Sequence, residues 1–299
     1  MMAPNACMVS PQAWFRSKGL HARKSLGQNF LQDAAVAQAI VDRSGVGAED
    51  IVLEIGPGLG ALSFPIARRV KRLVVVEKDP ELAAWLTTEI AEKNFQNITL
   101  HAADILQLDW MAIFDEMLRD AEGYRLVIFG NLPYNISSQI VVRLVEHRHR
   151  IERAVLMFQK ELAERLRAEP GGRDYGRLTV LLRFCAHITT LVNVGARSFY
   201  PKPKVDSEVI EIRFPKPEPF PVPDEAALIR VVRAAFGNRR KTLKNSLMAG
   251  LPGVRTEDIA HILRTIGIDP VRRAETLDIE DFIRLSLAIS AREIMTTER

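Results

Sequence analysis

The segment Gly130–Tyr134 combines an amide, a proline and an aromatic ring within five residues, Gly-Asn-Leu-Pro-Tyr. It follows the apolar run Leu126–Phe129, which predicts a buried strand. The polar and aromatic side chains are therefore expected at the carboxyl end of that strand, where ligands bind in open α/β sheets. Taken alone, the pattern fits an ordinary strand and proline turn equally well.

A glycine-rich loop, Gly56-Pro57-Gly58-Leu59-Gly60, lies between the predicted strand 51–55 and the helix after it. Glycines allow a tight turn and close approach of the backbone to a ligand. The spacing is GxGxG rather than the dinucleotide fingerprint GxGxxG, with Glu54 just before it. Glu77 ends the next strand, where a carboxylate can accept the hydroxyls of a ribose. These features predict a nucleoside cofactor of open identity, and a plain structural turn is the alternative.

The residues at the ends of the next two predicted strands indicate which reaction such a cofactor would serve. Asp104 could accept a hydrogen bond from an adenine amino group, or simply cap a helix. The Asn131 side-chain oxygen and a backbone carbonyl near Leu132 could accept the N–H groups of an exocyclic amine. Two such acceptors would stabilise the positive charge that develops as the nitrogen attacks a methylsulfonium. We interpret Gly130–Tyr134 as a site for methylating an adenine amine, because a nicotinamide enzyme would not explain this strand end.

Aromatic side chains could hold the target base. Tyr134 offers a face on which an extruded base can stack, and Pro133 stiffens the turn. Phe199, in a late loop, could supply a second face. Core packing is an equally good interpretation of Phe199.

These residues require a frame of alternating strands and helices. Two late strands, 188–194 and 208–214, would add an antiparallel edge to a mostly parallel sheet. The fold class predicted is therefore α/β, a Rossmann-like doubly wound sheet of seven strands. The other five predicted strands are 51–55, 73–76, 98–100, 126–129 and 154–158.

The chain divides at a proline-rich segment. Five prolines alternate between positions 215 and 223 and predict a stiff, extended linker. Beyond it the pattern is helical, so a small all-α domain is predicted at 224–299. Residues 1–24 lack periodicity and are predicted to be a flexible basic arm, with a mitochondrial presequence as the minor alternative. The α/β domain is then 25–214.

Basic residues are unevenly distributed along a chain of 299 residues with a net charge of +4. There is no acidic residue before Asp33 and none between Glu225 and Glu257. The second acid-free stretch contains Arg239, Arg240, Lys241 and Lys244. Such single-sign clusters suit a polyanion, although a solvated helix face explains either cluster alone.

Composition excludes several classes of protein. A 47% hydrophobic content with 26% charged residues is typical of globular domains, not of disordered or fibrous chains. The two cysteines, Cys7 and Cys185, argue against a disulfide framework and a zinc site. No apolar run approaches 18 residues, so we expect no membrane span and a cytoplasmic protein.

Taken together, the motifs resemble the small-subunit rRNA adenine N6,N6-dimethyltransferases (KsgA/RsmA), a family of class I S-adenosylmethionine-dependent methyltransferases. The resemblance runs over nearly all of residues 22–290. It depends on the segments 24–31, 54–60, 130–137, 175–178, 203–207 and 236–247.

The resemblance implies an activity. Enzymes of this family transfer methyl groups from S-adenosylmethionine, without a metal, to the N6 amines of two adjacent adenosines. The target lies in the loop of the 3′-terminal hairpin of small-subunit (16S) rRNA, and four transfers occur per subunit. The reaction takes place during assembly of the 30S subunit, and the helical domain would dock there. We expect a monomer.

The resemblance also implies roles for individual residues. Asn29 and Leu31 would border the cofactor, and Gln28 and Phe30 would close over it. Asn131 would touch both the cofactor and the target amine, Leu132 would help to orient the amine, and Tyr134 and Phe199 would hold the base. The remaining cofactor contacts would be Gly56 to the methionine part, Glu77 to the ribose, Asp104 to the adenine, and Gly58. RNA would be bound by Arg239, Arg240, Lys241 and Lys244.

Two departures from the family pattern leave the base contacts of one loop open. Lys202 interrupts the prolines at 201 and 203, and Tyr200 follows Phe199 where a smaller residue is common. The residues before His21 are assigned to no motif of the family. The alternatives are a large-subunit rRNA adenine N6-methyltransferase of the macrolide-resistance type, a non-catalytic assembly or binding factor and, less favoured, a DNA adenine methyltransferase.

Overall fold

The computed structural model describes residues 8–23, 26–133, 135–252 and 254–297, with side chains as far as Arg292. These residues form two compact units. The first contains the residues up to Ala163 together with Ile188–Phe214, and the second contains Glu164–His187 and the residues from Pro215 onward. Among the described residues, no helix has the length and apolar character needed to cross a membrane.

The first unit is organised around a mostly parallel sheet, which confirms the predicted α/β class. In the described part of the chain, seven strands hydrogen bond in the order β4-β3-β2-β5-β6-β9-β7. Strands β4 through β6 are parallel, and β9 runs antiparallel to β6. The strands are β1 (Phe30–Leu31), β2 (Asp50–Ile55), β3 (Arg72–Glu77), β4 (Ile98–Ala102), β5 (Arg125–Asn131), β6 (Arg153–Gln159), β7 (His187–Val194), β8 (Phe199–Tyr200) and β9 (Ser207–Arg213).

Strands β2 and β5 create the topological switch of the sheet. The chain moves outward from β2 to β3 and β4, then returns to β5 on the other side. Such a reversal leaves a crevice at the carboxyl ends of the two central strands. Ile55 lies opposite Gly130 in this register. A Cβ atom at Gly130 would lie 3.0 Å from the Ile55 carbonyl oxygen, so close strand packing requires glycine there.

Helices pack on both faces of this sheet, as alternating βα units require. Helix α5 was not predicted, although Trp110, Ile113 and Phe114 of this helix are buried. The helices that lie wholly or partly in the first unit are α1 (Pro11–Lys18), α2 (Ala34–Ser44), α3 (Ser63–Ala67), α4 (Pro80–Glu92), α5 (Trp110–Met117), α6 (Ser137–His147) and α7 (Lys160–Leu166).

Helix α1 corrects the prediction of a flexible basic arm at residues 11–18, within the predicted segment 1–24. The Ser10 side chain caps its start, Pro11 takes the first position, and Gly19 ends it with a left-handed φ of 65°. Trp14 and Phe15 are buried. Eight residues are too few to show a helical period, and a helix this short depends on tertiary packing.

The second unit is helical but not continuous in sequence, which differs from the predicted domain boundaries of 25–214 and 224–299. The segment 164–187 joins it because Tyr175 packs 6.2 Å from the Phe236 ring and the Phe184 carbonyl accepts the Phe220 N–H. Residues 215–223, the predicted linker, contain neither helix nor strand. The helices are α8 (Arg177–Arg183), α9 (Glu225–Ala235), α10 (Leu243–Gly250), α11 (Thr256–Thr265) and α12 (Ile279–Thr297).

Candidate active site

A cleft opens at the carboxyl ends of β2, β3, β4 and β5. It encloses about 1120 Å³ of empty space, part of which is open to solvent. Ten of the residues predicted for the site line this cleft. They are Gln28, Asn29, Phe30, Leu31, Gly56, Gly58, Glu77, Asp104, Asn131 and Leu132.

The glycine loop forms one wall of the cleft. Gly56 adopts φ 68°, and a Cβ atom there would meet no heavy atom within 4 Å, so the backbone faces open space. Gly58 adopts φ 57°, and a Cβ atom there would lie 3.1 Å from the Phe30 ring. Glycine at 58 therefore serves two purposes: it permits the left-handed backbone, and it lets Phe30 lie against the loop.

Glu77 is held at the end of β3 by backbone donors. Its Oε2 accepts the Gly58 N–H at 3.1 Å and its Oε1 accepts the Asp79 N–H at 2.8 Å. Burial raises the pKa of this carboxyl above its ordinary value, and the two backbone donors oppose the rise. Each carboxylate oxygen has a further lone-pair site, so Glu77 can still accept the hydroxyls of a ribose.

Glu54 is a second buried carboxyl on the same cleft, 2% exposed. Its pKa is raised to about 7, chiefly by burial; the Ser63 hydroxyl opposes the rise, and the charge of Glu77 adds to it. Its Oε2 has no hydrogen-bond partner among the described residues. An unsatisfied carboxyl oxygen beside another carboxylate favours a cationic or hydrogen-bond-donating ligand.

We predict that Glu54→Gln removes a pH dependence of stability. Between pH 4.5 and about 7 the folded protein holds the Glu54 proton more tightly than the unfolded chain. The wild-type free energy of unfolding should therefore fall by about 3 kcal/mol more than that of Glu54→Gln as the pH rises through this window. Urea denaturation at a series of pH values measures the free energy of unfolding of both proteins. The exposed Glu81→Gln variant should follow the wild type, and parallel curves for wild type and Glu54→Gln would contradict the prediction.

Asp104 carries an ion pair at the far end of the cleft. Its Oδ2 lies 2.8 Å from the Lys78 ammonium, and its Oδ1 accepts the Leu106 N–H at 3.0 Å. Burial alone would raise the pKa of Asp104, but Lys78 and the Leu106 N–H outweigh it and lower the pKa. Asp104 therefore stays ionised as a hydrogen-bond acceptor. Lys78 follows Glu77 directly, and sequence reasoning did not single it out.

Asn131 has a fixed amide orientation. Its Nδ2 donates to the Asn29 carbonyl oxygen at 2.9 Å. The Oδ1 atom has no donor among the described residues, so it is available as an acceptor. A carbonyl partner can hold only the N–H₂ side of an amide, and Asn29 thereby determines which atom of Asn131 can meet a substrate amine.

The segment 27–31 forms the wall of the cleft that carries the Asn29 carbonyl. Strand β1 pairs antiparallel with β8, with Phe30 opposite Tyr200 and Leu31 opposite Phe199. At its other end, Gln28 donates to Asp79 at 2.8 Å and accepts the Arg23 N–H at 2.7 Å. Asp79 was missed from sequence because its only local signal, an acid before Pro80, indicates a helix cap.

The model for the ribosomal RNA adenine dimethylase family matches residues 19–290. The chain belongs to this family. It is 48% identical to the ribosomal RNA small subunit methyltransferase A of Desulforapulum autotrophicum, over 94% of this chain and 97% of the relative. It is 40% identical to the protein of the same name from Geobacillus kaustophilus, over 91% and 92% of the two chains.

Two solved structures resemble the fold of this family member. A dimethyladenosine transferase from Plasmodium falciparum has a TM-score of 0.73 and 25% identity, covering 88% of this chain and 98% of its own. The 23S rRNA methyltransferase ErmE has a TM-score of 0.60 and 26% identity, covering 87% and 99%. Both likenesses support a class I methyltransferase fold.

Of the two residues predicted to hold the target base, only Phe199 belongs to the described structure of this dimethylase, and it does not line the cleft. Tyr134 lies outside the described residues. Phe199 is 3% exposed within the hydrophobic core, opposite Leu31. Its packing agrees with the core interpretation, and its role in holding a base stays a prediction.

The predicted RNA-binding residues surround the start of α10 in the second unit. Arg239, Arg240 and Lys241 are exposed, and Lys244 is half-buried. Arg239 donates to the Arg173 carbonyl. The Leu243 and Lys244 N–H groups are taken by the Arg272 and Pro270 carbonyls, so an anion here would depend on side chains rather than on the helix N-terminus.

Proposed function

We propose that this protein transfers methyl groups from S-adenosylmethionine to the N6 amines of two adjacent adenosines in the 3′-terminal hairpin loop of small-subunit (16S) rRNA. The observation that carries the proposal is the Asn131 amide. Its nitrogen is held by the Asn29 carbonyl and its oxygen is left as an acceptor on a cleft with a glycine loop and Glu77. The family membership and the names of its relatives support this substrate class.

The cleft residues fit S-adenosylmethionine. Glu77 would accept the ribose hydroxyls, Asp104 the adenine amine, and the open space at Gly56 would admit the methionine part. The carboxyls of Glu54 and Glu77 suit the positive charges of this cofactor. When bound, the cofactor supplies an electrophilic methyl group on a sulfonium. Gln28, Asn29, Phe30, Leu31 and Gly58 would enclose it.

The role of the protein in the reaction is to orient the amine and to stabilise charge. Asn131 Oδ1 would accept one N–H of the adenine amine, and the Leu132 carbonyl would accept the other. These acceptors stabilise the positive charge that develops on the nitrogen. No strong base is required, and correct positioning alone can lower a barrier by about 7–11 kcal/mol. Tyr134 and Phe199 would hold the base.

Small-subunit RNA is favoured over the large-subunit alternative. The relatives at 48% and 40% identity, each matched over more than 90% of this chain, are both named small-subunit methyltransferases. The 23S rRNA methyltransferase ErmE is 26% identical, and its TM-score of 0.60 is lower than the 0.73 of the dimethyladenosine transferase. We further propose that the protein acts as a monomer on the 30S subunit, in the cytoplasm.

The basic residues around α10 would bind RNA phosphates. Reversing two charges, Arg240→Glu with Lys241→Glu, should weaken RNA binding by about tenfold or more and reduce the magnitude of the salt slope by about 1.5–2. Neither residue has an ion pair among the described residues, so the folded unit should not be affected. Binding to labelled 16S rRNA at several salt concentrations measures both quantities. The control is the double variant Arg255→Glu with Arg264→Glu, which reverses one charge just before α11 and one on it. Equal losses of RNA affinity in the two double variants would contradict a specific RNA site around α10.

An acceptor comparison tests the proposed function. The protein is incubated with methyl-labelled S-adenosylmethionine and one of three acceptors: undermethylated small subunits, large-subunit rRNA or DNA. Label is expected only in small-subunit RNA. Label in large-subunit RNA would overturn the substrate, and RNA binding without any transfer would favour a non-catalytic assembly factor.

A further inference from the structure

Helix α1 precedes the part of the chain that the family model matches, residues 19–290. Despite its polar composition, its two aromatic residues are buried: Trp14 is 7% exposed and Phe15 is 5% exposed. They form a hydrophobic cluster with three residues of the cleft, Phe30, Leu59 and Leu82. A helix outside the matched range therefore packs directly behind the candidate active site.

The ring contacts of α1 reach both segments that pair beside the cleft. Phe15 lies 5.2 Å from the Phe30 ring in β1 and 6.2 Å from the Tyr200 ring in β8. Trp14 lies 6.0 Å from the Trp85 ring on α4. Phe15 therefore packs against the β1–β8 pair, and Trp14 packs against α4.

The β1–β8 pair depends on such support. It contains two residues in each strand, and an isolated two-stranded pair is marginal in water even when it is longer. Phe30 in this pair lies against Gly58 of the glycine loop. Asn29, the residue before it, supplies the carbonyl that orients Asn131. Loss of this pairing would therefore displace both Phe30, which lines the cleft, and the Asn29 carbonyl that orients Asn131.

A polar cluster around Asp79 provides a second contact for the chain between α1 and β1. Arg23 lies 3.3 Å from Asp79, which is 3% exposed and also accepts the Gln28 side-chain N–H. The Asp79 N–H in turn donates to Glu77. The segment from α1 to β1 is therefore attached at an aromatic cluster and at a polar cluster, and both border the cleft.

We propose that α1 is a positioning element of the active site, in which Phe15 and Trp14 hold the segment 28–31 in the arrangement that binds the cofactor and orients Asn131. Neither residue touches a reacting atom, and both act through Phe30 and its neighbours. The assignment of the cofactor as S-adenosylmethionine rests on the proposed function. The structural effect on residues 28–31 does not depend on it.

The test uses the full chain with Phe15→Ala and Trp14→Ala. S-adenosylhomocysteine is titrated by calorimetry, and amide hydrogen exchange is followed at residues 28–31. Each variant should weaken S-adenosylhomocysteine binding by about tenfold and speed exchange at these residues. The KM for S-adenosylmethionine should rise in proportion. Tyr124→Ala is the matched control, because Tyr124 is a half-buried aromatic residue just before β5, at the opposite end of the strands from the cleft.

Conservative variants separate positioning from general stability. Trp14→Phe keeps an aromatic ring and removes a buried Nε1–H that lacks a partner among the described residues, so binding should return to within about twofold of wild type. Phe15→Leu should give an intermediate loss and serves as the test if Phe15→Ala does not fold. Unchanged affinity and exchange in the α1 variants, or equal changes in Tyr124→Ala, would overturn the proposal. If the wild type binds no S-adenosylhomocysteine, the proposed function fails, and the exchange at 28–31 still decides the role of α1.

Discussion

Asn131→Ala is expected to lower the rate of methyl transfer by about two to three orders of magnitude. The substitution removes the Oδ1 acceptor that would stabilise the developing charge on the amine, and losing one such group typically costs about 10²–10³ in kcat. The Asn29 carbonyl that holds the amide remains, as do Glu77 and the glycine loop. Binding of S-adenosylhomocysteine and of RNA should therefore stay within a few-fold of wild type.

Single-turnover methylation of small-subunit RNA measures this prediction. Asn135→Ala is the matched control, because Asn135 also lines the cleft and carries the same side chain. It should retain most of the activity. Asn131→Asp should also be slow, since it replaces the N–H₂ group that donates to the Asn29 carbonyl with a second oxygen. Full activity of Asn131→Ala would refute the proposed role of this amide.

Asp50→Ala is expected to lower the free energy of unfolding by about 3–5 kcal/mol. Asp50 is fully buried at the start of β2 and lies 3.1 Å from Arg153 and 2.8 Å from Arg125. Arg153 is 3% exposed, so losing Asp50 leaves a buried guanidinium without its nearest carboxylate. Its remaining carboxylate partner, Glu211, is 3.5 Å away.

Urea denaturation followed by circular dichroism measures the Asp50 prediction. Asp115→Ala provides the comparison, because the Asp115–Arg150 pair is exposed and should leave the denaturation midpoint near that of wild type. Arg125→Ala should lower the free energy of unfolding by less than Asp50→Ala does, because Arg125 is partly exposed and the ion pair between Asp50 and Arg153 would remain. A midpoint for Asp50→Ala equal to that of Asp115→Ala would contradict a structural role for this ion network.

The features that could be predicted from sequence are those with a local signal. The apolar runs of β2, β3 and β5 are continuous because parallel strands are buried on both faces. The glycine loop follows β2 directly, Glu77 and Asn131 end β3 and β5, and Asp104 comes just after β4. Their convergence on one cleft then follows from the rule that parallel strands end at the same edge of a sheet.

The missed features depend on contacts between distant segments. The two-residue strands β1 and β8 are too short to show alternation and exist because residues 30–31 meet 199–200. Helix α1 is stabilised by Phe30 and Tyr200 rather than by its own periodicity. Lys78 pairs with Asp104 across 26 positions. No pattern within one window of sequence indicates such pairs.

Dimethylation of two adjacent adenosines is tested most directly by the nucleoside composition of small-subunit rRNA after reaction with excess S-adenosylmethionine. Undermethylated 30S subunits are treated to completion, and the RNA is digested and analysed by mass spectrometry. Four methyl groups per subunit are expected, all as N6,N6-dimethyladenosine at two adjacent positions of the 3′-terminal hairpin. Methyl groups at any other base or position, or no N6,N6-dimethyladenosine at all, would contradict the proposed function.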